Sequence, residues 1–240
     1  MNLRNRTILI TGGTSGIGLE LARQLLQRGN TVIVTGRDQE KLEATRRALP
    51  GIHAFQSDVS DPVAIKTLHD IVLAQFPALD MLINNASSFY PTPLGSITAT
   101  QWDDLLGSNL RAPTFLSQAA APELRRAKGL LLNIVDIHGM RPLRDHVVYS
   151  TAKAGLIMLT RALARELAPD VRVNGIAPGP VLWPEAEMQE QVKAKILDNT
   201  PLHRQGSPQD IARTALFFAT AAPFVTGQIL AVDGGRSIGW

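Results

Sequence analysis

The 240-residue sequence contains no cysteine. That excludes disulfides, thiolate zinc sites, iron–sulfur clusters and cysteine nucleophiles together. Charge of one sign is also scarce in excess: 24 Lys and Arg stand against 21 Asp and Glu, a formal net charge of +3. The basic residues come in ones and twos (Arg46-Arg47, Arg125-Arg126, Arg141, Arg144) among acids and apolar side chains. A nucleic-acid binder needs a basic stripe, so no nucleic-acid partner is expected. No apolar run approaches the about 20 residues of a membrane span; Leu216 to Ala222 is short and broken by Thr220. The lead before Ile8-Leu9-Ile10 lacks a long apolar region and a small-residue cleavage site. The chain therefore reads as cytoplasmic, with no membrane partner. His53, His69, His138, His146 and His203 lack ligand spacing, so no metal is expected. His138 and His146 flank the Tyr149 segment and either line the site or lie on the loop surface, the plainer reading.

What is present is alternation. Short apolar runs (Thr7 to Thr11, Thr31 to Thr35, His53 to Gln56, Met81 to Asn84, Leu130 to Val135, Arg172 to Ile176, Ile229 to Val232) are separated by helical patterns. Leu19 to Leu26 repeats its apolar residues at helical spacing and stops at Gly29. Continuous apolar strands between amphipathic helices predict an α/β fold, a doubly wound parallel sheet with helices on both faces. With no linker, repeat or low-complexity segment, residues 1–240 read as one Rossmann-like domain. Pro-rich stretches, Pro91 to Pro93 and Pro178 to Pro184, follow strands and are candidate site walls, because ligands bind at the carboxyl ends of such strands.

The first strand enters Thr11-Gly12-Gly13-Thr14-Ser15-Gly16-Ile17-Gly18 and then a helix. Glycines admit a pyrophosphate to the backbone, and the helix N-terminus supplies N–H donors and a positive dipole, which predicts a dinucleotide site. At the second strand end, Thr35-Gly36-Arg37-Asp38 leaves the position of a ribose-binding acid empty and offers an arginine, which favours NADPH. Asp38 either reaches the ribose or caps the helix Gln39 to Ala48. Asp58 and Val59 would lie beside the adenine, although Asp58 also suits a plain turn.

Tyr149-Ser150-Thr151-Ala152-Lys153 places a phenol and an ammonium at i and i+4 on one helix face continuing to Leu167. A neighbouring cation is expected to lower the tyrosine pKa from about 10 and fit it for general acid work. With Asn84-Asn85-Ala86, Asn109, Pro178-Gly179 and the closing Val232-Asp233-Gly234-Gly235, the chain resembles the short-chain dehydrogenase/reductase family over its full length. The resemblance implies a seven-stranded parallel sheet, a nicotinamide cofactor (NADPH/NADP) and a homodimer or homotetramer. It implies Tyr149 as proton donor, Lys153 on the nicotinamide ribose and Asn109 holding a relay water. Cofactor contacts are implied for Gly12, Thr14, Ser15, Gly16, Ile17, Gly18, Arg37, Asp58, Val59, Asn85, Ala86, Pro178, Gly179 and Val181, beside Tyr149 and Lys153.

Most members carry a serine thirteen residues before the tyrosine, where this chain has Asp136. A hydroxyl can donate to a carbonyl oxygen, whereas an ionised carboxylate only accepts, so Asp136 suits a substrate with N–H groups. Its plain alternative is a cap on the loop after its strand. The exchange is a feature of pteridine reductases, and Asn85-Ala86-Ser87-Ser88-Phe89-Tyr90-Pro91-Thr92-Pro93-Leu94 closely resembles their loop after the fourth strand. There the residue matching Phe89 stacks the pterin and the one matching Ser87 bonds it; a core or lid residue is the alternative for Phe89. Trp183 either covers the substrate or packs on its loop. The first third departs, since many pteridine reductases have arginine where this chain has Gly16. The expectation is an NADPH-dependent reductase of pterin-like substrates, with Tyr149, Lys153, Asp136 and Asn109 catalytic and Ser87, Phe89, Asp136, Tyr149 and Trp183 binding substrate. Its rivals are a reductase of ketones or 3-oxoacyl compounds and a non-catalytic NADP(H)-binding scaffold or sensor.

Overall fold

A computed structural model describes residues 1–76, 78–183 and 189–238, the side chain of His69 excepted. Pro184, the end of the second Pro-rich stretch, lies outside them. The strands are β1 (Thr7–Ile10), β2 (Thr31–Gly36), β3 (His53–Gln56), β4 (Met81–Asn84), β5 (Leu130–Ile134), β6 (Arg172–Pro178) and β7 (Ile229–Val232). The helices are α1 (Gly16–Leu26), α2 (Gln39–Ala48), α3 (Pro62–Gln75), α4 (Ala99–Leu106), α5 (Ala112–Ala127), α6 (Val147–Leu167), α7 (Glu190–Asp198) and α8 (Pro208–Thr220). All seven expected strands form. Four ends differ: Thr11 leaves β1 to begin the glycine turn, β2 continues to Gly36 because it pairs with Gln56 of β3, β5 stops at Ile134, and β6 continues to Pro178 because it pairs with β7 up to Val232.

The strands form one parallel sheet in the order β3-β2-β1-β4-β5-β6-β7. Strand residues alternate between two apolar layers, as a period of two requires. Ile8, Ile10, Val32, Val34, Met81 and Ile83 meet Leu21 and Leu25 of α1 and Ile211 and Phe218 of α8. Leu9, Ile33, Leu82 and Leu131 face the other way, onto Leu68 of α3, Leu116 and Leu124 of α5 and Leu167 of α6. A fully buried leucine or isoleucine contributes about 1.5–3 kcal/mol, so both layers hold the sheet jointly. The order reverses between β1 and β4, which opens a crevice at their carboxyl ends.

Helix ends follow local chemistry. Asp38 caps α2 by accepting from the Lys41 amide, the capping alternative of the sequence reading. Thr98 and Gln101 form a reciprocal capping box on α4. Beneath the crevice a buried polar chain fixes α6 to the sheet: Asn84 donates to Asn133 at 2.8 Å, and Asn133 donates to Thr160 at 2.8 Å.

Candidate active site

The glycine turn is clamped from the β4 side. The Thr11 hydroxyl accepts from the amides of Asn85 and Ala86, both at 3.0 Å, and the Asn85 side chain donates to the carbonyls of Thr11 and Gly12. Asn85 thus shapes the phosphate turn instead of offering its amide to a ligand. A Cβ on Gly18 would stand 2.2 Å from the Gly12 carbonyl oxygen, so only glycine lets α1 approach the turn this closely. Ser15 caps α1 without a side-chain capping bond and is exposed, beside the free N–H groups of the first helical turn. Leu182 lies over Gly16, its Cδ1 at 2.7 Å from where a Cβ would be. Trp183 follows, half-buried.

A Cβ on Gly36 would meet the Thr14 methyl at 2.8 Å, so any side chain at the strand end would have to displace Thr14. Arg37 is exposed next to it. Asp58 accepts from the amide and hydroxyl of Ser60 and is a turn residue, while Val59 is buried in the apolar layer under β1. Gly179 bonds to the Val232 carbonyl at the end of β6, and Val181 is buried close by. An acid-free strand end, an exposed guanidinium and the unpaired donors of α1 fit a dinucleotide carrying an extra phosphate.

After β5 the chain turns through a short 3₁₀ segment, Ile137–Gly139, capped by Asp136. One Asp136 oxygen accepts from the His138 amide at 2.7 Å, and the other accepts from the Tyr149 hydroxyl at 2.7 Å. Asp136 is therefore both a cap and a partner of the phenol. Tyr149 is 3% exposed. Burial, then the Asp136 charge and hydrogen bond, hold its pKa well above 10, with Ser87 opposing. This corrects the expectation that Lys153 lowers it: the hydroxyl faces a carboxylate, and the ammonium lies 5.7 Å from the ring centre. Lys153 is itself buried, donates to the Ile134 carbonyl at 3.1 Å, and has its pKa lowered to about 8 by burial against the pull of Asp136.

Asn109 sits fully buried in a π-helical turn, Gly107–Arg111, between α4 and α5. Such turns recur at functional sites. Its amide donates to the carbonyls of Ser88 and Leu105, and its oxygen accepts from the Ser87 hydroxyl at 2.8 Å. The Asn109 side chain thus anchors the loop after β4. That loop brings Phe89 edge-on to Tyr149, with ring centroids 4.8 Å apart. His146, for which the sequence leaves site lining and loop surface both open, stacks its ring on Phe89 at 4.8 Å with planes 17° apart. The two segments are sewn together by buried Thr92, which pairs with Asp145 and His146. His138 bonds to the Arg141 carbonyl.

Comparison with known proteins agrees with this geometry. The family profile described as enoyl-(acyl carrier protein) reductase matches residues 12–237. The chain is 34% identical over 239 residues to the 3-oxoacyl-[acyl-carrier-protein] reductase FabG of Staphylococcus aureus, covering 96% of this chain and 97% of that protein. It is 31% identical to the FabG of Aquifex aeolicus, over 98% of both chains. A solved apo SCOR enzyme from Clostridium thermocellum superposes with a TM-score of 0.90 at 32% identity, covering 98% of this chain and 94% of that one. The two FabG relatives bear the name of oxoacyl reductases and none of these matches is named a pteridine reductase, so that finer resemblance gains nothing from them. The fold, the glycine turn and the full-length matches make the chain a member of the short-chain dehydrogenase/reductase family, an oxidoreductase.

Proposed function

We propose that the protein reduces a ketone-type carbonyl, 3-oxoacyl compounds included, with NADPH as hydride source and Tyr149 as proton donor. The observation that carries this reading is the Tyr149 hydroxyl, buried, bonded to Asp136 at 2.7 Å and set on the helix that also bears Lys153. NADPH, when bound, supplies the hydride. Tyr149 turns its proton from Asp136 to the carbonyl oxygen, giving an alcohol, and the phenol is refilled from solvent. Ser87, bonded to Asn109 and close to Tyr149, is placed to hold the same oxygen. Lys153 supplies positive charge near the phenolate that forms. The substrate class follows the names of the full-length relatives.

A second reading, reduction of a dihydropterin-type ring, is favoured by Asp136 and Phe89. The carboxylate accepts from ring N–H groups, and Phe89 stands beside Tyr149 as an aromatic contact. NADPH oxidation with ethyl acetoacetate, an acetoacetyl thioester and dihydrobiopterin decides between them. Turnover of the oxo compounds supports the first reading and turnover of the pterin alone the second. Tight NADPH binding without turnover of any would favour a non-catalytic protein.

The cofactor preference has its own test. Arg37→Ser should weaken NADPH binding about tenfold, because a charge-assisted hydrogen bond to phosphate is lost, and leave NADH unchanged. Equal weakening of both in a fluorescence titration would remove Arg37 from the phosphate.

A further inference from the structure

Phe89 and His146 form a built feature that hydride transfer does not require. Their rings are nearly parallel, and Phe89 stands edge-on to the proton donor. Yet Phe89 is 44% exposed and belongs to neither large apolar layer, so packing does not explain its place. The segments that carry the two rings are tied together, and the His146 ring is held from behind. Thr92, fully buried, accepts from the Val148 amide and donates its own amide to the Asp145 carbonyl. The His146 Nδ1 bonds to the Arg144 carbonyl at 2.8 Å, so the imidazole is held through a proton on that nitrogen.

We propose that His146 is a specificity-determining residue: with Phe89 it forms a flat wall beside Tyr149 that favours carbonyl compounds carrying a planar, conjugated group over saturated ones of equal size. This rests on the reading that Tyr149 protonates a carbonyl substrate. A flat ring meets an aromatic wall by offset stacking or edge contact, whereas a puckered ring of the same carbon count cannot match it. Aromatic pairs of this kind are worth about two- to tenfold in discrimination. His146 acts by holding Phe89, which makes it a positioning residue as well as a surface for the substrate.

Acetophenone and cyclohexyl methyl ketone differ in flatness at nearly equal size, and their intrinsic reactivities cancel when variants are compared. The ratio of their kcat/KM values should fall about two- to tenfold in His146→Leu. It should be retained in His146→Phe, which keeps a ring. An unchanged ratio in His146→Leu, or an equal loss in His146→Phe, overturns the proposal. If His146→Leu does not fold, Phe89→Leu removes the other ring and is read the same way. If the wild type reduces neither of these two ketones, the wall is read by binding, and failure of the proposed function is read separately from the acetoacetyl substrates. Calorimetry with 1-phenylethanol and 1-cyclohexylethanol in the presence of NADP should then show a preference for the aromatic alcohol that His146→Leu loses. No preference in the wild type, or one that survives the substitution, overturns it.

Discussion

Replacing Tyr149 by Phe should lower kcat/KM for reduction by about 10²- to 10⁴-fold, the usual contribution of a positioned general acid. NADPH binding should stay within about twofold, since a lost proton donor acts on the chemical step. Phe fits the site: the Tyr149 ring packs with Leu105 and Val148, and only the hydroxyl is removed. The substitution leaves one Asp136 oxygen without its donor at 2.7 Å. Asp136 is half-buried, so water can reach the freed oxygen. The loss should stay at about 0.5–1.5 kcal/mol, that of a net hydrogen bond, and the unfolding midpoint should drop only slightly while the protein remains folded. A variant that retains activity within about tenfold would mean that another group protonates the product, and Ser87 is the nearest candidate.

Asp136 gives this site an electrostatic balance unlike that expected from tyrosine and lysine alone. Burial first, and then the carboxylate, raise the pKa of the phenol, while the same carboxylate acts on the Lys153 ammonium in the opposite sense to burial. A raised pKa makes the phenol a weaker acid, so proton transfer from Tyr149 relies on charge that develops on the substrate oxygen and on Lys153 to stabilise the phenolate.

The strands were legible because β4 and β5 are buried on both faces and so read as unbroken apolar runs. The Asp38 cap and the helix from Gln39 to Ala48 were equally local matters. The direction of the Tyr149 pKa was not legible. The spacing from Tyr149 to Lys153 puts both on one helix face, but the partner of the hydroxyl depends on the path from β5 through the 3₁₀ turn to α6. That path delivers a carboxylate where helix spacing alone suggests a cation. The place of His146 was left open by the sequence: it stands three residues before Tyr149, at the N-cap of α6, where site lining and loop surface are both compatible with the spacing. What places its ring on Phe89 is the Thr92 seam, a tertiary contact between segments more than fifty residues apart. The likeness to pteridine reductases rests on residues local to the substrate loop, whereas full-length identity averages over the scaffold, and the two point to different substrates.

Replacing Lys153 by Met should abolish reduction and make the protein more stable at neutral pH. The ammonium is 2% exposed and its pKa is lowered to about 8, so the fold holds the charged form at a cost. The drop from the model-compound value of 10.5 corresponds to about 3 kcal/mol below pH 8. Met fills the buried stem without a charge but loses the hydrogen bond to the Ile134 carbonyl, a loss of about 1 kcal/mol. Burial outweighs the hydrogen bond, and a net gain of about 2 kcal/mol at pH 7 is expected in urea unfolding. The sign of the pH dependence follows from proton counting. Between pH 8 and 10.5 the unfolded chain holds a proton on Lys153 that the folded chain has lost, so wild-type stability attributable to this group rises across that window. The advantage of the Met variant should therefore be full below pH 8 and vanish by about pH 10.5. A variant less stable than wild type at pH 7 would show that Lys153 is a structural cation. A more stable and inactive variant would mark it as a group retained for chemistry against the preference of the fold.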